Sequence, residues 1–365
     1  MFAVTGFTQV VQVANHTACF RTISPLMPNT VLVTEAEFAK AEHVFRRAEG
    51  HRFVSAPSDE AGLAATVTRE QARAVVVGVQ PYTGDLYRAL KGVAAGQVSL
   101  IVRFGVGHDG VDKVLAQANN IVVCNTPGVL DVSVAEHTLW LMGNLARHVT
   151  QLDSCMRAGQ FTGATGGELR GKLLGVLGFG PIGRCVAKMA HFGFGMRVRA
   201  LGASTVEQLQ VRERRSLAEI QATFGLERYT NDTDSLLPEC DFVSIHLPAT
   251  PDTRHFINAH RLKLFKPGAS LVNTARGSVV DETALYDALN NGALAGAALD
   301  VFAREPYEPV LPGKDLRLLA NVLLTPHISS NTREANQRMA EACVANVVHF
   351  FAGNLERLTQ VKQSL

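Results

Sequence analysis

The stretch from Lys172 to Gly183, KLLGVLGFGPIG, constrains the fold of this 365-residue chain more than any other. Its apolar run Leu173–Leu177 predicts a short buried strand, and Gly178, Gly180 and Gly183 follow at G-x-G-x-x-G spacing. A helix is expected from about Ile182, continued by Arg184, Ala187 and Ala190. The three glycines do different things. Gly178 turns the chain tightly off the strand, Gly180 lets backbone approach a pyrophosphate, and Gly183 lets helix and strand pack closely. The amides and the positive end of the helix then face the phosphates. A strand, this turn and a helix together point to a dinucleotide cradle.

The surrounding chain alternates in the same way. Val31–Val33, Ala74–Val79, SLIVRFGVG from Ser99 and IVVCN from Ile121 read as strands, with helical stretches at Glu35–Glu49 and Val111–Ala118. The second half adds Leu173–Leu177, Arg197–Leu201, Phe242–Ile245, Ser270–Asn273, Ala295–Leu299 and Val322–Leu324. Short apolar runs separated by helices imply parallel sheets buried on both faces. A chain of this length fits about two domains. NTPG at Asn125–Gly128 is a candidate hinge, because Pro127 forces Thr126 to be extended and Gly128 is permissive. Asp131 or Ser133 is then placed to cap a long helix whose apolar breadth predicts packing between domains or subunits, with Trp140 as an anchor. Pro326 ends the last strand, and the helix expected over Asn331–Phe351 returns to the first domain. The expected domains are therefore 1–127 with 328–365, and 128–327.

With 47% hydrophobic residues, 19% charged and a net charge of +2, nothing in the whole-protein field calls for nucleic acid or a membrane surface. Residues 1–29 read as an extension without a leader pattern. Six scattered cysteines with no C-x-x-C pair fit reduced thiols in the cytoplasm and no metal site.

Ligands of open α/β sheets bind beyond the carboxyl ends of strands, so polar residues there are the candidates for chemistry. Arg276 in NTARG offers a planar fork for a carboxylate, and His327 in TPHIS has a ring suited to moving a proton near neutrality. Glu305 in DVFAREP, if close, would favour imidazolium and fix which ring nitrogen faces the substrate.

GFGPIG, NTARG, DVFAREP and TPHIS in this order, with RFGVGHDGVD and NTPGV upstream, resemble the D-isomer-specific 2-hydroxyacid dehydrogenase family from about Val31 to the final helix. The resemblance implies two doubly wound parallel-sheet α/β domains, a Rossmann cofactor domain inserted in a flavodoxin-like substrate domain. It implies catalytic roles for Arg276, Glu305 and His327, with Val106, Gly107 and Arg103 binding substrate, Arg103 towards a phosphate or second carboxylate. The implied cofactor contacts are Gly178, Gly180, Pro181, Ile182, Gly183, Gly202, Ser204, His246, Leu247, Pro248, Thr253, Thr274, Ala275 and Asp300. His246 is structural in this reading, and a homodimer is expected.

Two departures stand out. Gly202 occupies the position where NAD-using relatives keep a ribose-binding acid, which leaves NAD and NADP open with a lean to NADP. Ser204, Thr205 or Arg212, Arg214 and Arg215 could accept a 2′-phosphate, or those arginines form the solvated face of an inserted segment over 205–224. Gly202→Asp is then expected to favour NAD. His108 replaces a small apolar residue in the substrate loop and either contacts substrate or lies at the surface. The competing functions are a dinucleotide-sensing corepressor or scaffold on the same fold, and a formate or phosphite dehydrogenase; formate-type relatives carry Gln where Glu305 lies, which argues against that branch.

Overall fold

The computed structural model describes residues 28–361. The expected extension and Cys19 lie outside them, apart from Pro28 and Asn29. The first sheet comprises β1 (Asn29–Thr34), β2 (His51–Ala56), β3 (Ala74–Val77), β4 (Ser99–Arg103) and β5 (Ile121–Cys124), in the order β2-β1-β3-β4-β5. The second comprises β6 (Leu173–Leu177), β7 (Arg197–Leu201), β8 (Leu226–Thr230), β9 (Phe242–Ile245), β10 (Ser270–Asn273), β11 (Gly296–Leu299) and β12 (Val322–Leu324), in the order β12-β11-β10-β9-β6-β7-β8. Every pairing between these strands is parallel.

Both sheets have apolar cores on both faces, which is why their central strands read as unbroken hydrophobic runs. The strand order reverses between β6 and β9 in the larger sheet and between β1 and β3 in the smaller. Crevices at such reversals are where this class of fold binds ligands.

Two strands escape the apolar-run reading, β2 (HRFVSA) and β8 (LERYT). Both are edge strands, and their charged residues Arg52, Glu227 and Arg228 face solvent at the sheet margin. The helix expected over Glu35–Glu49 is two short helices, Glu35–Lys40 and Glu42–Arg47, interrupted at Ala41. There Phe38 and Phe45 stack at 5.7 Å in one core, and this tertiary packing overrides a continuous helix.

The helix after the NTPG turn runs Asp131–Arg147, with Asp131 and Ser133 inside its first turn rather than capping it from outside. Its Leu130 and Val134 end joins the core of the first sheet, while Leu139, Leu141 and Met142 join that of the second. Trp140 is 73% exposed on this chain, so it anchors no packing between the two sheets. The last long helix, Arg333–Phe351, buries Met339, Ala340, Cys343 and Val347 against the first core. No helix among the described residues is long and apolar enough to cross a membrane.

Candidate active site

The carboxyl ends of the two sheets face one cleft of about 640 Å³, lined by Arg103 and Gly107 from one side and Arg276, Glu305 and His327 from the other. Arg276 follows β10 in a turn held by Asn273, whose Oδ1 accepts from the Ala275 amide (3.0 Å) and whose Nδ2 donates to the Arg276 carbonyl (3.0 Å). A Cβ at Gly277 would lie 1.9 Å from the Phe302 carbonyl carbon, so this turn sits flush on the loop that carries Glu305. Arg276 reaches across the cleft: its Nη2 is 1.2 Å from where a Cβ on Gly107 would be. Only glycine at 107 accommodates that approach.

Glu305 accepts from the Phe302 amide through Oε1 (3.0 Å), and its Oε2 is 2.7 Å from His327 Nδ1. Burial alone would raise the Glu305 pKa, but the hydrogen bond and charge of His327 hold it below the ordinary carboxylate value. With Nδ1 engaged, Nε2 is the ring nitrogen left for a ligand.

His327 has φ +52°, a left-handed backbone that a non-glycine residue adopts only when its surroundings enforce it. The enforcing group is Asp300, which is fully buried after β11. Its carbonyl accepts from the His327 amide (2.8 Å), Oδ1 accepts from Thr325 Oγ1 (2.6 Å) and the Ile328 amide (2.9 Å), and Oδ2 accepts from the Ser329 amide (2.9 Å). Burial pushes its pKa up, and these donors with His137 more than offset that, leaving it below the ordinary value. The Asp300 carboxylate thus faces the His327 loop.

Arg103 is 8% exposed and lines the cleft, and no carboxylate among the described residues pairs with its guanidinium. Burial and the nearby Arg276 charge lower its pKa to about 10. Val106 holds its loop to the hinge by accepting from Asn125 Nδ2 at 2.8 Å. His108 is turned aside, its Nδ1 3.2 Å from Lys113 Nζ, and burial with that charge lowers its pKa.

The glycine turn lies at the β6–β9 reversal. Gly178 has φ +108°, and a Cβ there would be 2.5 Å from the His246 carbonyl oxygen. At Gly183 a Cβ would be 2.0 Å from the Gly178 oxygen, whereas nothing lies within 4 Å of one on Gly180. Space therefore opens at Gly180, directly before the helix Pro181–Phe194 that presents the Ile182 and Gly183 amides. This arrangement fits a pyrophosphate.

Leu247 and Pro248 follow β9 opposite this turn, and Thr253 Oγ1 donates to the Pro248 carbonyl at 2.6 Å. His246 Nε2 is 3.1 Å from Ser244 Oγ, and burial drives its pKa down to about 3, which fits a structural rather than a proton-transferring ring. Thr274 Oγ1 meets Thr138 Oγ1 at 2.9 Å and so faces the Asp131–Arg147 helix.

At the end of β7, a Cβ on Gly202 would lie 2.1 Å from Tyr229 Oη. That hydroxyl donates to the Ser204 carbonyl at 2.9 Å, and the Tyr229 ring packs edge-on to Phe179 at 5.7 Å. A rigid tyrosine thus fills the space a side chain at 202 needs. Ser204 Oγ is 3.4 Å from Arg212 Nη1. Arg212 touches Glu213 at 3.1 Å, and Glu213 also forms a two-point pair with Arg184 (2.7 and 3.0 Å) that pulls its pKa down to about 2.

The family model described as D-isomer specific 2-hydroxyacid dehydrogenase, NAD binding domain, matches residues 139–329, just over half the chain. The chain belongs to this family. Glyoxylate reductase of Thermococcus litoralis is 38% identical over 270 residues, 72% of this chain and 76% of that protein. The glyoxylate reductase of Aeropyrum pernix is 41% identical over 270 residues, with 72% and 76% covered. The crystal structure of an NADPH-dependent glyoxylate/hydroxypyruvate reductase from Sinorhizobium meliloti, in complex with NADP and malonate, superposes with a TM-score of 0.73 at 28% identity, covering 93% of this chain and all of that one.

This NAD(P)-dependent 2-hydroxyacid dehydrogenase also has site residues that sequence reasoning missed. Asp109 pairs with Arg276 Nε at 2.5 Å, and its place in the glycine loop two residues after Gly107 was the available signal. Glu37, Lys40 and Asn336 line the cleft from helices with no motif. Tyr229 was hidden in an unrecognised edge strand. Arg214 and Arg215 are not among the residues that contact Ser204, while Leu209 and Ile220 bury the two short helices of the 205–224 segment against the sheet.

Proposed function

We propose that the chain reduces short 2-ketoacids with NADPH, using Arg276, Glu305 and His327 as its catalytic residues. The observation that carries this reading is the His327–Glu305 contact of 2.7 Å in the same cleft as the Arg276 fork. When bound, the nicotinamide supplies the hydride to the ketone carbon, or takes it up in the reverse direction. Protonated His327 gives its Nε2 proton to the ketone oxygen as negative charge develops there, and Glu305 fixes the ring and favours its charged form. Arg276 holds the carboxylate together with the amides of the Val106–Gly107 loop, and neighbours the developing oxyanion. In oxidation the neutral imidazole takes the hydroxyl proton.

The preference for NADP is supported by Tyr229 excluding a side chain at Gly202 and by Arg212 beside Ser204, a cation and a hydroxyl placed for a 2′-phosphate. The remaining cofactor contacts are assigned to Gly178, Gly180, Pro181, Ile182, Gly183, His246, Leu247, Pro248, Thr253, Thr274, Ala275 and Asp300. The glyoxylate reductases among the relatives support small substrates, and the unpaired Arg103 supports acceptance of a second acidic group. Trp140, Val149, Met156 and Phe161, all more than half exposed, support a homodimer through this segment. The five described cysteines are free thiols, which supports a cytoplasmic setting.

Absorbance at 340 nm with NADPH or NADH, against glyoxylate, hydroxypyruvate, pyruvate and 2-ketoacids with a terminal carboxylate, tests the assignment. Oxidation of NADPH by a short member supports it. Tight dinucleotide binding with no oxidation by any member overturns it in favour of a sensor.

A further inference from the structure

The ion pair between Asp109 and Arg276 joins the loop after β4 to the turn after β10, 167 residues apart in sequence. Both ends are held independently. A Cβ on Gly110 would lie 2.4 Å from the Gln80 carbonyl oxygen, so the Asp109 loop is seated against the backbone of the 79–80 turn. On the other side Asn273 fixes the Arg276 backbone, and Arg276 Nη1 donates to the Ala275 carbonyl at 2.6 Å. Nε is taken by Asp109 at 2.5 Å, which leaves Nη2 lying over Gly107 at the cleft. An arginine side chain has several rotamers, and this pair selects the one that directs the unpartnered Nη2 of the guanidinium into the site.

We propose that Asp109 is a positioning residue, which sets the guanidinium of Arg276 across the cleft for the substrate carboxylate. The proposal rests on the carboxylate-binding role assigned to Arg276 above. Stability is not the reason for the pair: the side chains are 48% and 26% exposed, and ion pairs so exposed to water add little. Charge alone predicts the opposite effect on substrate. Removing an anion beside a carboxylate site strengthens attraction for the incoming carboxylate, whereas losing a positioning group weakens binding despite the more favourable field.

The sign of the change therefore decides. Asp109→Ala and Asp109→Asn are compared with wild type for kcat and KM towards the best 2-ketoacid, for the dissociation constant of the unreactive analogue oxamate in the presence of dinucleotide, and for that of NADPH alone. Asp109→Ala is expected to lower kcat/KM roughly tenfold to a hundredfold, mostly through KM, and to weaken oxamate by a similar factor. NADPH affinity and Tm stay near wild type. Asp109→Asn keeps an oxygen that accepts from Nε and recovers to within about threefold of wild type. Tighter or unchanged oxamate binding in Asp109→Ala overturns the proposal, as does a parallel fall in NADPH affinity and Tm, which marks a merely structural role. A wild type that binds oxamate but reduces no ketoacid sinks the reductase assignment instead, and Asp109 is then judged on oxamate alone.

Discussion

Placing an acid at position 202 looks, from sequence, like a simple way to restore NAD use, and the structure predicts that it fails. A Cβ on Gly202 would sit 2.1 Å from Tyr229 Oη and within 2.8 Å of two of its ring carbons. Tyr229 is 5% exposed, packs edge-on to Phe179 and donates to the Ser204 carbonyl at 2.9 Å, so it has nowhere to swing. Overpacking of this kind costs roughly 1–3 kcal/mol, and loss of the Tyr229 hydrogen bond adds about 1 kcal/mol. At about 2–4 °C per kcal/mol for a domain near 200 residues, Gly202→Asp should lower Tm by roughly 5–15 °C. The assay pairs thermal unfolding with fluorescence titration of NADH and NADPH. NADH affinity should rise by less than about threefold, since the carboxylate arrives with its neighbours displaced. Tyr229→Phe, which keeps the ring and loses only the hydrogen bond, should cost about 1 kcal/mol. A Gly202→Asp variant that melts within about 2 °C of wild type and binds NADH more tightly than NADPH would refute the steric reasoning.

Other consequences follow from the same geometry. Arg212→Ala removes the cation beside Ser204 and should weaken NADPH about tenfold while leaving NADH unchanged; equal loss of both in a titration would move the phosphate site elsewhere. Arg276→Ala should depress kcat/KM for ketoacids about a hundredfold or more with dinucleotide affinity intact, and parallel losses would mark a folding role. Glu305 has a folded pKa below its ordinary value, so its carboxylate is ionised above about pH 4.5 and is neutralised only as pH falls through that lowered value. Wild-type kcat should therefore show no acid loss attributable to Glu305 at pH 5, and Glu305→Gln should lower kcat about tenfold or more across that range. An unchanged kcat in Glu305→Gln would remove the carboxylate from the mechanism.

Strands buried on both faces were legible in the sequence because they have no polar side to interrupt the apolar run, as in Ala74–Val77 and Leu173–Leu177. The same logic failed at β2 and β8, whose edge positions tolerate Arg52, Glu227 and Arg228. In the site, Gly178, Gly183, Arg276, Glu305 and His327 could be picked out because each lies in the turn, loop or helix start that follows the carboxyl end of a strand, in a motif with recognisable spacing. What remained hidden depends on distances between remote segments. Asp109 acquires meaning only when Arg276 is seen 2.5 Å away, and Tyr229 only when its hydroxyl is found in the space above Gly202. Asp300 is a related case: its motif implied a place near the nicotinamide, while the donors Thr325, Ile328 and Ser329, through which its carboxylate also shapes the His327 loop, come into view only in the folded chain.

The most direct test of the account is the rate of NADPH oxidation by wild type and His327→Ala with the same short 2-ketoacid, alongside NADPH binding by each. The proposed chemistry predicts turnover by wild type, a fall of roughly a hundredfold to ten-thousandfold in kcat for the variant, and equal NADPH affinity. A His327→Ala enzyme that turns over as wild type does would contradict the assignment of the proton to this histidine, and with it the catalytic pairing of His327 and Glu305.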